Sequence, residues 1–336
     1  MTVASPPHAL AATEPLGFRR LPLDAGRQLA NALGGRTVGG DAFAIDAPLL
    51  WPEGGVYDTW IGSGDVHEQR HGCVSFATDG HWLYGCAEID DAAIGLRVAA
   101  QRAYTELFEV LAKHDCPHLL RLWNYLADIN RETDGVERYR QFNAGRQQAF
   151  IDARRSAFEG TPAACALGTR GGPLRVSFLA GRAAPLAIEN PRQVSAYHYP
   201  DTYGRRSPTF SRAALADAGG GRTALFISGT SSIVGHATMH AGDVRAQTEE
   251  SLANIAAVRA LADVCARTTF VPGELSWTVY LRRAADLPVV REVFERAVGP
   301  ESPAAREAIY LQADVCRADL LVEIEAHGFA PNGGAA

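Results

Sequence analysis

Several familiar motifs are missing from this sequence. It has no Cys-x-x-Cys pair. It also lacks Gly-x-x-x-x-Gly-Lys-Ser/Thr and a strand-anchored Gly-x-Gly-x-x-Gly. Zinc-ribbon, thioredoxin-type, phosphate-loop and dinucleotide chemistry therefore have no motif support, and no metal or cofactor is expected. No apolar run reaches the roughly 18 residues that read as a membrane span. There is no basic excess either. The net charge of −6 argues against a nucleic-acid partner. The first sixteen residues have no basic segment leading into an apolar one, so they read as a frayed start, not a signal peptide. The six cysteines, at 73, 86, 116, 165, 265 and 316, are scattered singly, as buried thiols of a cytoplasmic protein are.

What is present is length, a core and an internal repeat. A chain of 336 residues is too long for one average domain, and its 47% hydrophobic content is ample for real cores. Residues 1–65, rich in Gly and Pro, predict an irregular lead-in with strand-like pieces at Arg36-Thr-Val and Ala42-Phe-Ala-Ile. From Gly72 the pattern sharpens. Strands around Cys73-Val-Ser-Phe-Ala and Trp82-Leu-Tyr-Gly-Cys flank an Asp79-Gly80 turn. A helix follows to about His114, with Asp90 or Asp91 as its cap and an apolar stripe through Leu96, Ala99, Ala103, Leu107 and Val110. A strand at 119–126, a second helix at about 136–156, and strands at Leu167-Gly-Thr and Leu174-Arg-Val-Ser-Phe-Leu-Ala complete the set. The second half repeats this order. Leu225-Phe-Ile-Ser-Gly is a strand, and Asp243 caps a helix with Leu252, Ile255, Leu261 and Ala262 inward. Then come the strand Trp277-Thr-Val-Tyr-Leu, a helix over 287–298 and a closing strand pair. Trp123-Asn-Tyr-Leu matches Trp277-Thr-Val-Tyr-Leu, and Leu174-Arg-Val-Ser-Phe-Leu-Ala matches Leu320-Leu-Val-Glu-Ile-Glu-Ala. The domains expected are the lead-in 1–65, a module at 66–187, a linker or substrate loop at 188–207 and a second module at 208–330.

The closing strand pair, at 310–328, carries the main chemical candidate. Leu311, Ala313 and Val315 alternate in its first strand. In the second, Glu323 and Glu325 share one face and Val322, Ile324 and Ala326 the other. If the carboxylate face meets solvent, the pair has no further meaning, and pattern alone favours that. If it lines a cleft, one carboxyl gains a raised pKa and can serve as an acid. The first copy carries Ser177 and Leu179 at these positions, as a degenerate copy beside an active one would. The stretch between the copies is dense in Tyr197, Tyr199, Tyr203, Arg205, Arg206 and Arg212. It is either an ordinary polar loop or a surface for a small anionic ring compound, since Arg forks carboxylates and Tyr offers a face and a donor.

The second half, through Phe210-Ser-Arg-Ala, Leu225-Phe-Ile-Ser-Gly, Gln247-Thr-Glu-Glu-Ser-Leu-Ala-Asn-Ile and Val322-Glu-Ile-Glu-Ala, resembles the RidA (YjgF-type) enamine/imine deaminases. The arginine with which those enzymes hold a substrate carboxylate falls at Tyr310, so that activity is not expected to be intact. Over residues 120–328 the chain resembles the narrower chorismatase family. The carrying stretches are Leu122-Trp-Asn-Tyr-Leu-Ala-Asp-Ile-Asn, Arg138-Tyr-Arg-Gln-Phe-Asn-Ala-Gly-Arg, Glu189-Asn-Pro-Arg-Gln-Val-Ser-Ala-Tyr-His-Tyr-Pro, Arg206-Ser-Pro-Thr-Phe-Ser-Arg and Ser228-Gly-Thr-Ser-Ser-Ile-Val-Gly-His. The resemblance implies an α+β fold of two tandem RidA-like modules, the first degenerate. It also implies removal of the enolpyruvyl side chain of chorismate as pyruvate without cofactor. Tyr139, Arg146, Tyr199 and Arg212 match substrate-binding positions, and Glu323 matches the catalytic acid. Gly229 and Cys316 are of the kind found in the hydroxybenzoate-forming branches. There, Gly229 would leave room for the ring and Cys316 would be a weak donor or acceptor. The expected product is 3-hydroxybenzoate, with 4-hydroxybenzoate as an alternative co-product. The rivals are the non-aromatic diol of simple hydrolysis and a deaminase. The sequence sets no oligomeric state.

Overall fold

The structure is a computed structural model and describes residues 15–23, 29, 31–39 and 45–333. Residues 1–14 of the expected frayed start, and all of the 42–45 strand piece except Ile45, lie outside those residues; Leu16, also expected frayed, is instead buried and donates its N–H to the Ala218 carbonyl at 2.8 Å. Residues 17–61 are less irregular than their Gly and Pro content predicts. They hold β1 (Gly17–Pro22), β2 (Ala32–Val38), β3 (Leu49–Trp51) and β4 (Val56–Ile61). Strands β1, β4 and β2 form an antiparallel sheet in that order. The first repeat follows with β5 (His67–His71), β6 (Val74–Thr78), β7 (Trp82–Ile89), α1 (Leu96–Lys113) and β8 (His118–Ala127). It continues through a small ribbon, β9 (Glu132–Thr133) and β10 (Val136–Glu137), to α2 (Arg138–Asp152), β11 (Ala163–Thr169) and β12 (Leu174–Gly181). After β13 (Leu186–Ile188) the second repeat runs β14 (Ala213–Asp217), β15 (Arg222–Thr230), the ribbon β16 (Ile233–Val234) and β17 (Ala237–Thr238), α3 (Val244–Ala266), β18 (Ser276–Leu281), α4 (Leu287–Val298), α5 (Pro303–Glu307), β19 (Ile309–Gln312), β20 (Asp314–Val315) and β21 (Val322–Pro331).

The duplication is visible in strand order. The first large sheet runs β20-β11-β8-β12-β7-β6-β5 and the second β13-β14-β15-β21-β18-β19-β3. Their middles, β6-β7-β12-β8-β11 and β14-β15-β21-β18-β19, are the same arrangement. Each has one parallel pair, β8 with β11 and β18 with β19. The two halves also exchange strands. β3, from before the first repeat, pairs with β19, and β20 from the second repeat pairs with β11. The alternation read through Leu311, Ala313 and Val315 is therefore not one strand. The chain crosses from one sheet to the other inside it.

Period-two alternation decides the layers. On β21, Val322, Ile324, Ala326 and Ala330 pack with Val258, Ala262, Val290 and Phe294 of α3 and α4. On β8, Leu122 and Leu126 pack against α1 and α2, while Trp123 and Tyr125 face the other sheet. A third core, with Trp60, Trp123, Phe226 and Tyr280, fills the space between the sheets. The layers are thus helices, sheet, sheet, helices.

Helix ends differ in detail from the expected ones. Asp243 does cap α3, its Oδ1 accepting from the Ala246 N–H at 3.0 Å. α1 has no side-chain cap. It starts after Gly95, whose φ of 77° suits glycine, and Asp90 accepts from Ala92 in the turn before it. Leu261, expected inward, is 38% exposed. The two helices of the first half touch at Gly145. A Cβ there would lie 2.1 Å from the Arg97 carbonyl oxygen. Gly145→Ala gains helix propensity of about 1 kcal/mol. Backbone overlap outweighs that gain, and a net loss of about 1–3 kcal/mol is expected in urea unfolding.

Candidate functional site

The site is built from β21 outward. Glu323, Glu325 and His327 all point between the sheets, and Glu323 and Glu325 are each 4% exposed. The solvent reading of the carboxylate pair is therefore overturned, because the first large sheet lies on that face. The two carboxyls have different surroundings. Glu325 is fully engaged. Its Oε1 accepts from Arg36 Nη1 at 3.0 Å, Tyr280 OH at 3.1 Å and Trp123 Nε1 at 3.2 Å, and its Oε2 from Arg121 Nη2 at 2.5 Å. Arg36 also donates to Asp58, which Arg20 grips through two bonds of 2.7 and 2.9 Å. Burial would raise the Asp58 carboxyl, but Arg20 and Arg36 bring it down to about 2. Burial works against the Glu325 charge too, and Arg121 and Arg36 overcome it and hold its pKa below the ordinary value.

Glu323, two residues earlier on the same face, opens into a cavity of about 400 Å³. Among the described residues its one hydrogen-bond partner is Ser231, whose hydroxyl donates to Oε2 at 3.4 Å. Burial first, and then the charge of Glu325, raise its pKa to about 8, against the smaller pull of Arg121, Ser231 and Arg212. The neighbouring strand makes room for it. β15 gains one residue against β21 between Ile227 and Thr230, a bulge that holds Ser228 and Gly229. A Cβ on Gly229 would lie 1.9 Å from Glu323 Oε1. The space at Gly229 is thus shared with the Glu323 carboxyl, and Gly229 also lines the cavity.

The cavity walls come from both repeats. α2 brings Tyr139, Asn143 and Arg146 to one face through its i, i+4, i+7 spacing. Arg146 is 1% exposed, and its Nη2 donates to Asn143 Oδ1 at 2.9 Å. Arg212, 4% exposed, donates through Nη2 to the Val194 carbonyl and to Tyr199 OH, both at 2.8 Å. Among the described residues neither guanidinium has a carboxylate partner, and the Nε of each is buried without an acceptor. Buried, uncompensated cations are costly, so this pair marks a place for an anionic ligand. Cys316 follows the exchanged strand β20, and burial, then Glu323, push its thiol up to about 12. Burial likewise raises Tyr139.

All seven residues singled out in the sequence line this one cavity: Tyr139, Arg146, Tyr199, Arg212, Gly229, Cys316 and Glu323. Of the Tyr/Arg loop, Tyr203 also lines it, Arg206 donates to Gln147 on α2, and Arg205 is exposed. Sequence reasoning missed Ser231, Arg317 and the partners of Glu325. Arg317 stacks 3.8 Å above the Tyr203 ring and donates to the His236 carbonyl, at the cavity wall. Its place directly after Cys316 was the available signal. Tyr310 packs edge-on to Phe294 in the helix-side core and does not line the cavity. Among the described residues no group of His, Cys, Asp and Glu could hold a metal ion, and no helix is long and apolar enough to cross a membrane.

Fold and site together define a duplicated α+β enzyme with a cation-lined cavity around one buried carboxyl. The family described as "Chorismatase FkbO/Hyg5-like, N-terminal" matches residues 58–180. A 3-hydroxybenzoate synthase of Streptomyces hygroscopicus is 39% identical over 80% of this chain and 80% of its own. A chorismatase of Streptomyces rapamycinicus is 37% identical, again over 80% of each. A chorismatase crystal structure superposes with a TM-score of 0.83 at 29% identity, covering 95% of this chain and 99% of the other. The chain belongs to the chorismatase family.

The thiol at 316 is held neutral by its surroundings, which argues against a nucleophilic role. Maleimide labelling at pH 7 is therefore expected at Cys265, the one exposed cysteine of the six, with Cys316 left unmodified. Peptide mass spectrometry reads the order of labelling.

Proposed function

We propose that this enzyme cleaves the enolpyruvyl ether of chorismate to pyruvate and 3-hydroxybenzoate, with Glu323 as the acid. One observation carries the reading. A single cavity holds a buried carboxyl with its pKa raised to about 8 and two buried guanidiniums that, among the described residues, have no carboxylate at ion-pair distance. Chorismate is a dianion with an acid-labile vinyl ether, and the pocket volume suits a ligand of its size. The relatives' names point the same way.

On this reading Arg146 and Arg212 take the two carboxylates, and Tyr139 and Tyr199 orient the ring and hydroxyls. Glu323 gives its proton to the terminal methylene carbon of the enolpyruvyl group, which leaves an oxocarbenium ion. The Glu323 carboxylate now formed stays beside that cation and Arg212. The substrate's own ring hydroxyl captures the cation and returns its proton to Glu323. Loss of a ring C–H proton with cleavage of that oxygen's bond to the ring makes the ring aromatic, and the hemiketal left on the other ring oxygen collapses to pyruvate and the hydroxybenzoate. No water is consumed overall. Gly229 lets the carboxyl stand close to the ring. Cys316, neutral, is a weak donor or acceptor beside the acid. A cytoplasmic location goes with this reading, and all six cysteines are free. So does a division of the chain into a lead-in at 1–65, modules at 66–187 and 208–330, and a substrate loop at 188–207.

Incubation with chorismate and chromatography against standards test the reaction. Pyruvate with 3-hydroxybenzoate is expected. The diol in its place would keep the cleavage and reject intramolecular capture, and no pyruvate would reject the function. Glu323→Gln is expected to lower turnover by about 10²–10⁴ while chorismate still binds, as read by calorimetry.

The pH profile follows from the direction of the shift. The proton must be on Glu323, whose pKa is raised to about 8. Turnover should be level just below that value and fall about tenfold per unit above it.

A further inference from the structure

Glu325 does not line the cavity, yet it is the most heavily bonded carboxylate near it. We propose that Glu325 is a positioning residue for the acid. Its carboxylate, pinned between Arg36 and Arg121, keeps a fixed negative charge one strand step behind Glu323 and so keeps the proton on Glu323. Arg36 thereby makes the N-terminal sheet part of the active site. The inference rests on the acid role of Glu323 given above and adds the device that sustains it.

The geometry has three parts. First, side chains two apart on a strand share a face at about 7 Å of rise, and both carboxyls are buried between the sheets. Like charges there are weakly screened, and both cannot ionise easily. Second, the bonding settles which one ionises. Glu325 receives donors from four residues on three elements, Arg36 on β2, Arg121 and Trp123 on β8, and Tyr280 on β18. Glu323 receives a single long bond from Ser231. Third, Arg36 is itself braced. It donates to Asp58, to Tyr125 OH at 2.8 Å and to Tyr280 OH at 3.3 Å. Asp58 is held by Arg20, which reaches the carbonyls of Trp277 and Glu307 in the second repeat.

Lining the cavity with Glu323 are Glu137, Tyr139, Arg140 and Arg146 at and before α2, Cys165 from β11, Tyr199, Tyr203 and Arg212 before β14, and Cys316, Arg317 and Asp319 after β20, while Arg121 of β8 acts on it from the Glu325 side. Facing Glu325 besides its donors are Asp58, Tyr125, Cys165 and His327. Burial first lowers His327, to about 3, so it is neutral across the working range. Burial raises Cys165, Tyr125 and Tyr280 far above that range. Glu325 is thus the anion nearest to Glu323 on its own strand.

Infrared difference spectra against pH read the protonated-carboxyl C=O band, assigned to Glu323 by its loss in E323Q. This readout needs no turnover. In the wild type the band should vanish through about pH 8. In Glu325→Gln the midpoint should fall by about one pH unit or more, because the repelling charge is gone and Arg121 is freed. Glu325→Asp, which keeps the charge, should stay nearer the wild type. Arg121→Gln should move the midpoint up, the opposite direction, and keeps the proposal testable if Glu325→Gln does not fold. A purely structural role predicts lowered stability with the midpoint unmoved in each variant, and that result overturns the proposal. If the wild type releases no pyruvate, the functional reading fails while the infrared midpoints still decide this one. If chorismate is cleaved and the midpoints do not move, the functional reading stands and this one falls.

Discussion

The rest of the site depends on one buried constraint: a carboxylate between the two sheets that must be neutralised from both sides. Glu325 stands where hydrocarbon would be expected, in a layer otherwise filled by Trp60, Trp123 and Phe226. Moving an ion into such a place costs several kcal/mol unless its partners are close and well aligned. Arg121 comes from the opposing sheet and Arg36 from the N-terminal one, with Trp123 and Tyr280 completing the shell. The cluster therefore fixes the sheets' relative position and the place of the small sheet over their edge. Charge left over from it is what its strand neighbour, Glu323, experiences.

Gene duplication makes such an interior possible. Two copies of one unit stack with their bare sheet faces together, and helices cover only the outer faces. In the first copy the positions equivalent to Glu323 and Glu325 are Ser177 and Leu179. Ser177 is buried near Tyr84 and Cys86, and Leu179 joins the core between the sheets. Without a second carboxylate pair facing the first, the interior avoids a four-carboxyl repulsion. The degenerate copy contributes cations and aromatic rings in their place, with Arg121 and Trp123 on β8 and Arg146 on α2. The active site is thus asymmetric by composition while its frame is symmetric in topology.

Much of this was legible in the sequence, for identifiable reasons. Glu323 and Glu325 share a face because strand geometry has period two, and that needs no tertiary knowledge. Arg212, Tyr199 and Tyr203 stood out because a plain linker does not concentrate such groups. What lay on the carboxylate face was not legible. The partners of Glu325 are 204 and 289 residues away in the chain, and nothing local to Arg36 or Arg121 marks them as counterions. Arg36 sits in a Gly-rich segment whose composition reads as irregular. The exchange of β3 and β20 breaks the assumption that neighbours in sequence stay in one sheet, so 310–315 reads as one strand. Gly95 as a helix start, and Leu261 on the outer side of α3, are boundary effects that propensity does not resolve.

Gly229 shows how backbone and acid are matched. A strand without the bulge would continue its pairing past Ile227 and set a side chain against each residue of β21 in turn. The extra residue at 228–229 breaks that register beside Glu325, and Ser228 turns inward to accept from the Ala164 N–H at 2.9 Å. That bond ties β15 to β11, the strand on which Cys165 sits, and so fixes the floor under Glu323. With Gly229 in the bulge, the Glu323 carboxyl occupies volume that any Cβ would claim. It is held there by exclusion more than by bonds, since Ser231 is its one partner. An acid that must give its proton to carbon benefits from that arrangement. Strong donors would stabilise the carboxylate and lower its pKa, while a snug apolar seat keeps the proton in place and the geometry fixed.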